Sequence, residues 1–129
     1  MKAIDQAKRI YKICVESAKA RRTVTYGEIL NLLGYKKGVP GHAIRYGLEL
    51  VLIACRERRL PALTCIVVND ATGKPAEGGH PKATWEKDVQ ATFNQKEWSD
   101  FDDTDWSHVW KNRKMLSSSY GTDGYFGNS

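Results

Sequence analysis

Residues 24–34 read VTYGEILNLLG, and beyond a basic loop residues 41–50 read GHAIRYGLEL. The first stretch opens on a helix start. Thr25 and Glu28 stand three apart, the spacing at which each side chain caps the other's backbone N–H. From about Tyr26, the residues Ile29, Leu30, Leu32 and Leu33 supply an apolar face to bury, and Gly34 supplies the stop. A helix of about two turns does not persist alone in water, so it requires a neighbour. The second stretch predicts one: a helix from near His42 to about Arg59, with Ile44, Leu48, Val51, Leu52 and Cys55 on one face and Pro61 ending it. Between the two, Tyr35 to Gly41 hold two glycines, a proline, Lys36 and Lys37. Helix, basic loop, helix is the layout of a helix-turn-helix, here with a loop longer than the tightest versions.

Upstream, residues 2–20 predict an amphipathic helix, because Ile4, Ala7, Tyr11, Cys14, Val15 and Ala18 recur at helical spacing. Arg21 and Arg22 sit near its end, where the helix dipole favours cations. Thr23 to Thr25 form a short β-prone link. Downstream, Leu63 to Val68 (LTCIVV) are the strongest strand signal in the chain, followed by turn chemistry from Asn69 to Pro75 and a glycine-rich return from Glu77 to Pro81. A strand, a polar turn and a return straight after two helices suit a winged helix-turn-helix. Residues 83–97 and 106–115 predict further helices, and the Ser/Gly-rich segment from Ser117 is expected to be mobile or docked only by its aromatics. The expected fold is therefore α+β: a winged helix-turn-helix core with an extra N-terminal helix and a C-terminal helical extension. Residues 1–116 form one domain and 117–129 a tail.

Composition sets the outer bounds. The chain has 129 residues, 41% apolar and 27% charged, which fits one globular domain. No stretch is long and apolar enough to cross a membrane, and MKAIDQAKRI lacks the apolar region of a secretory signal, so a cytoplasmic location is expected. Three cysteines, three histidines and no CxxC argue against a disulfide scaffold or a structural zinc site. Charge is uneven. Residues 1–60 carry 13 Lys/Arg against 5 Asp/Glu, and the rest carry 7 against 10, within a net charge of +5. A basic front half suits phosphate or an acidic partner, or is simply a solvated face.

The three blocks VTYGEILNLLG, GHAIRYGLEL and LTCIVVNDATGKPAEGG (63–79) resemble the C-terminal domain of O6-alkylguanine-DNA alkyltransferases, and more closely their inactive relatives, the alkyltransferase-like proteins. The resemblance covers residues 24–79. It implies a winged-helix DNA-binding domain in which Tyr26 approaches the target nucleotide and the helix of residues 41–50 enters a groove. The departures are as informative. Aligning Ala43-Ile44 with the family's Ala-Val puts His42 where the family has an arginine that fills the gap left by a flipped base. Aligning Val67-Val68 with its Val-Val puts Thr64 at the nucleophilic cysteine and Cys65 at the following histidine. A one-residue slip would place Cys65 at the nucleophile, but in a strand it would also turn that side chain to the other face. Alkyl transfer further needs an activated thiolate, and no His or Lys lies within three residues of Cys65. A non-catalytic DNA-binding protein is therefore the expectation, possessing no cofactor and recognising modified or distorted DNA in the manner the resemblance implies.

Read from their chemistry, Lys36, Lys37, Arg45 and the amides at the start of its helix can meet phosphates, and Lys74 can meet a second phosphate stretch as a wing does. His42 and Tyr46 are candidates for base or sugar contacts. Each has a plainer reading as well: Tyr26 as a packing residue, His42 as a cap, the lysines as a solvated loop. Cys14, Cys55 and Cys65 are expected in the core. The cluster Asp100, Asp102, Asp103, Asp105 and His108 matches no EF-hand spacing and reads as a cap for the helix at Trp106. A rival function is a protein-binding inhibitor or adaptor that uses the Trp-rich C-terminal part, though core packing is the favoured reading of those rings.

Overall fold

Apolar residues at helical spacing build the first helix, α1 (Ala3–Lys19), and bury it along Ala7, Ile10, Cys14 and Ala18. This is seen in a computed structural model that describes residues 1–76 and 79–122. That face lies on α3 (Arg45–Glu57), the central helix, whose residues Leu50 to Cys55 are all buried. The two helices cross at Gly47, where an added Cβ would stand 2.7 Å from the Gln6 Cβ and 3.0 Å from the Ile10 Cδ1. Only a residue without a side chain permits that approach.

Between α1 and α3 the chain makes β1 (Val24–Thr25) and α2 (Tyr26–Leu32). The capping box is formed as its spacing predicts. The Thr25 hydroxyl accepts from the Glu28 N–H at 3.1 Å, and the Glu28 carboxylate accepts from the Thr25 N–H at 3.3 Å. Gly34, at φ +87°, closes α2, with the Tyr35 N–H bonded back to the Leu30 carbonyl. Leu32, expected to be buried, is 55% exposed: the core-facing stripe runs through Ile29, Leu30 and Leu33 and leaves it outside. The second helix begins later than expected. Gly41–Ile44 form a 3₁₀ turn, and regular α-helix starts only at Arg45.

The strongest strand signal is only partly a strand. Leu63–Ile66 coil into a 3₁₀ turn, and β2 is confined to Val67–Val68, which pairs in parallel with β1 in the register Val24↔Val67, Thr25↔Val68. Burial explains the override. Leu63 to Val68 are all buried, β1 offers two residues to pair with, and the rest of the segment is held by side chains of α4 (Lys82–Asn94) instead. The Trp85 indole N–H donates to the Cys65 carbonyl at 2.8 Å, and the Cys65 Sγ lies 3.3 Å from the Thr92 hydroxyl. Among the described residues the sheet has these two strands alone, so the fold is mixed α+β with helix predominating.

Two further helices, α5 (Asp103–Lys111) and α6 (Arg113–Tyr120), pack on α3, and Trp106, Val109 and Leu116 join the same core as Ile10, Leu48 and Val51. The tail boundary expected at Ser117 falls inside α6. Ser117 is buried, its hydroxyl donates to the Glu49 carboxylate at 2.8 Å, and its carbonyl accepts from the Thr122 N–H. The remaining tail residues, 123–129, lie outside the described residues, as do two positions of the expected glycine-rich return, 77 and 78. No helix among the described residues is long and apolar enough to cross a membrane.

Candidate nucleic-acid interface

The start of α2 is the hinge point of the candidate surface. Here the Asp70 carboxylate, from the turn after β2, accepts from the Gly27 N–H at 3.1 Å. A negative side chain therefore already occupies the positive end of α2, and that bond draws the turn of residues 69–74 against Tyr26's helix. The turn is closed by the Asn69 N–H to the Lys74 carbonyl at 2.8 Å and the Gly73 N–H to the Asn69 carbonyl at 2.9 Å. Lys74 thus projects from a tight turn and is exposed.

From the far end of α2, residues 35–40 run back to the 3₁₀ turn, and two contacts fix their path. Gln6 of α1 donates through its amide nitrogen to the Tyr35 hydroxyl at 2.7 Å and to the Ala43 carbonyl at 2.9 Å, fastening both ends of the loop. The Tyr26 ring lies against Gly41, where an added Cβ would stand 3.2 Å from its Cδ1. Tyr26 is half-buried, and burial raises its phenol pKa above the ordinary value. Its packing role is evident; only part of the ring reaches solvent. Lys36, Lys37 and His42 all stand exposed on this tethered segment.

The resemblance implies that the helix of residues 41–50 enters a groove, and the packing limits which of its residues face outward. Gly47, Leu48 and Leu50 to Cys55 are buried, so α3 is the core of the molecule; its first turn is its most exposed part, and Glu49, Arg56 and Glu57 are half-buried. The amides expected to bind phosphate there are already used: the Ala43 N–H bonds to the Pro40 carbonyl, and the Arg45 N–H to the His42 carbonyl. What the first turn does present is Arg45, half-buried, and Tyr46, 45% exposed. Their side chains pair: the Arg45 guanidinium lies 4.7 Å over the Tyr46 ring and donates to its hydroxyl at 3.0 Å.

Many of the remaining cations are engaged within the chain. Arg9 donates to the Leu32 and Leu33 carbonyls at the end of α2, Arg21 donates to the Phe93 carbonyl at the end of α4, Lys8 pairs with Asp103, and Arg58 pairs with Asp105 at 3.2 Å. The acidic back half thus neutralises part of the basic front half, and the raw charge count overstates the outward field. Lys36, Lys37 and Lys74 make no ion pair among the described residues. With Arg45, these three are the cations of this surface.

Thr64, which the resemblance would set at the nucleophile, is 3% exposed, with its hydroxyl unpartnered among the described residues. Cys65 is fully buried, and burial pushes its thiol up to about 12 against the smaller opposing effect of the Thr92 hydroxyl. The strand argument against a register slip does not apply, because the segment is a 3₁₀ turn. Burial keeps the sulfur from solvent in its place. Cys14 and Cys55 are buried as expected.

The acidic cluster is accounted for locally. Asp102 caps α5 in a second capping box with Asp105, while Asp103 and Asp105 hold Lys8 and Arg58. The four tryptophans lie on the core: Trp106 is 2% exposed, and Trp85, Trp98 and Trp110 are half-buried. Sequence reasoning missed Gln6 and Asp70, and two contacts of this surface rest on them: Gln6 holds the loop and Asp70 the turn. Both act through contacts 29 to 43 residues away in the chain, and a sequence carries no local mark of them. No family model, curated protein or solved structure matches the chain.

Proposed function

We propose that this chain is a non-catalytic DNA-binding protein of winged helix-turn-helix type, resembling the alkyltransferase-like proteins, and that it takes up modified or distorted duplex DNA. The observation carrying this reading is that Lys36, Lys37 and Lys74 are exposed, are without an ion pair among the described residues, and stand on two segments that border α2: the loop that follows it, whose Gly41 end lies against the Tyr26 ring, and the turn whose Asp70 accepts from the Gly27 N–H. Fixed ammonium groups at separate points of one surface suit a phosphate backbone, which positions a protein on a duplex. In this reading the lysine loop, the 69–74 turn and Arg45 grip the backbone. Tyr26, His42 and Tyr46, at the start of α3, approach the bases, because the helix beyond that turn is largely enclosed by the core. The buried Thr64 and the inaccessible Cys65 favour binding without alkyl transfer.

Titrating a fluorescently labelled duplex with the protein, by anisotropy, at two salt concentrations tests the proposal. Four phosphate-facing cations give an affinity that falls by roughly 150-fold between about 50 and 200 mM salt, from a slope of about −0.9 per contact. Affinity independent of salt, or no binding at the lower concentration, would refute it.

A further inference from the structure

Besides the lysine loop and the 69–74 turn, the described surface carries a continuous run of two rings with a cation stacked on each. It begins with Arg45 over Tyr46. The Tyr46 ring then meets Trp110 of α5 edge-on, with centroids 6.5 Å apart and planes at 88°. Arg113, at the start of α6, stacks 4.0 Å over the Trp110 ring and donates to the Trp110 carbonyl at 3.2 Å. Trp110 also walls a pocket of about 470 Å³ whose other lining residues are Lys2, Ala3, Ile4 and Asp5 at the start of α1. That volume lies in the range of about 300–1,000 Å³ typical of small-ligand sites.

Trp110 is half-buried against the core, but this strip is not the ring packing that fills the interior. The molecule has an aromatic cluster for that purpose, Tyr11 with Phe101 and Trp106, built around a ring that is 2% exposed. The Tyr46–Trp110 run is instead half open to solvent and continuous with the first turn of α3. Aromatic faces and guanidinium planes are what unpaired bases stack on, because every base has a π-face and duplex stacking no longer competes for it.

We propose that this strip binds an unpaired, single-stranded segment of nucleic acid adjoining the duplex held by the basic loop. The inference rests on the duplex-binding reading and names the substrate class more closely: a junction between paired and unpaired strand. Arg45, Arg113 and Lys2 face the phosphates, and one base enters the pocket against the Trp110 indole. There the Asp5 carboxylate accepts from an exocyclic amino group and turns phosphate away. The C-terminal extension is then part of the binding surface.

The test compares a blunt duplex with the same duplex carrying a single-stranded overhang, at one salt concentration, for the wild-type chain and its variants. The overhang tightens wild-type binding by about tenfold, the scale of one base–aromatic stack. Trp110→Leu loses that gain while keeping blunt-duplex affinity and its helical circular dichroism, and Trp110→Phe retains most of it. Should Trp110→Leu not fold, Lys2→Glu decides, since Lys2 is exposed and outside the core: a reduced overhang gain supports the proposal and an unchanged one overturns it. Equal wild-type affinity for both duplexes, or a full gain in Trp110→Leu, overturns the strip and leaves the duplex reading standing. Affinity for the single strand alone, lost in Trp110→Leu, supports the strip and refutes the duplex reading. Binding to neither overturns both.

Discussion

Replacing Gly47 by alanine gives opposite expectations from the sequence and from the packing. In an exposed helix interior the change adds about 1 kcal/mol of stability, the difference in helix propensity. Here the new methyl would stand 2.7 Å from the Gln6 Cβ, 2.9 Å from its Oε1 and 3.0 Å from the Ile10 Cδ1. The Cβ cannot rotate away, so α1 and α3 must separate or Gln6 must leave its place. Forcing extra volume into a packed contact costs about 1–3 kcal/mol. Gln6 also holds the Tyr35 hydroxyl and the Ala43 carbonyl, and losing those two hydrogen bonds costs roughly 0.5–1.5 kcal/mol each. Set against the propensity gain, the net is a destabilisation of about 3 kcal/mol, or roughly 9–15 °C in melting temperature for a chain of this size. Urea and thermal melts followed by circular dichroism measure it, and hydrogen exchange at residues 35–43 reports whether the loop has come loose. A Gly47→Ala protein as stable as the wild type, or more so, would refute the reasoning about how α1 positions the basic loop.

Further predictions concern charge, thiols and acid. Lys36→Gln with Lys37→Gln removes two of four phosphate-facing cations, so the salt dependence between about 50 and 200 mM falls from roughly 150-fold to about 12-fold; an unchanged salt slope would exclude the loop. Because burial raises all three thiol pKa values, that of Cys65 to about 12, a small disulfide reagent at mildly alkaline pH labels the native chain only as fast as it unfolds, and mass spectrometry of a folded sample with Cys65 rapidly modified would contradict this. The Asp105 carboxyl is held below its usual range, first by the Asp102 N–H that donates to it and also by Arg58. A lowered pKa contributes stability that is complete above the unfolded carboxyl value and lost as pH falls through the folded one. The start of α5 therefore loosens as acidity passes below about pH 4, seen as faster amide exchange around Asp105. Exchange there that does not change with acidity would contradict the capping role.

How much of this was legible in the sequence depends on the range of the interactions. Thr25 with Glu28 and the stop at Gly34 lie within a few residues of one another, and they form as their spacing predicts. The apolar period of α1 was readable for the same reason. Leu63 to Ile66 were misread because β-branched, apolar composition signals burial as much as extension. The choice between them was made by Trp85 and Thr92, some 20 to 27 residues later. The extension from Asp103 onward packs through Tyr11, Arg58 and Glu49, which no local pattern connects to it. For the candidate surface, loop composition was enough to place Lys36 and Lys37 outside. It could not show that α3 is enclosed by α1, α5 and α6, nor that Tyr46 meets a ring 64 positions away.

The central claim is that the lysine loop, the 69–74 turn and the first turn of α3 form one nucleic-acid surface. Amide chemical-shift mapping of the isotopically labelled chain, titrated with duplex DNA, tests it most directly. The account predicts perturbations concentrated at Tyr26, Lys36, Lys37, His42, Arg45, Tyr46 and Lys74. Perturbations confined to α4, or a spectrum the duplex leaves unchanged, would contradict it.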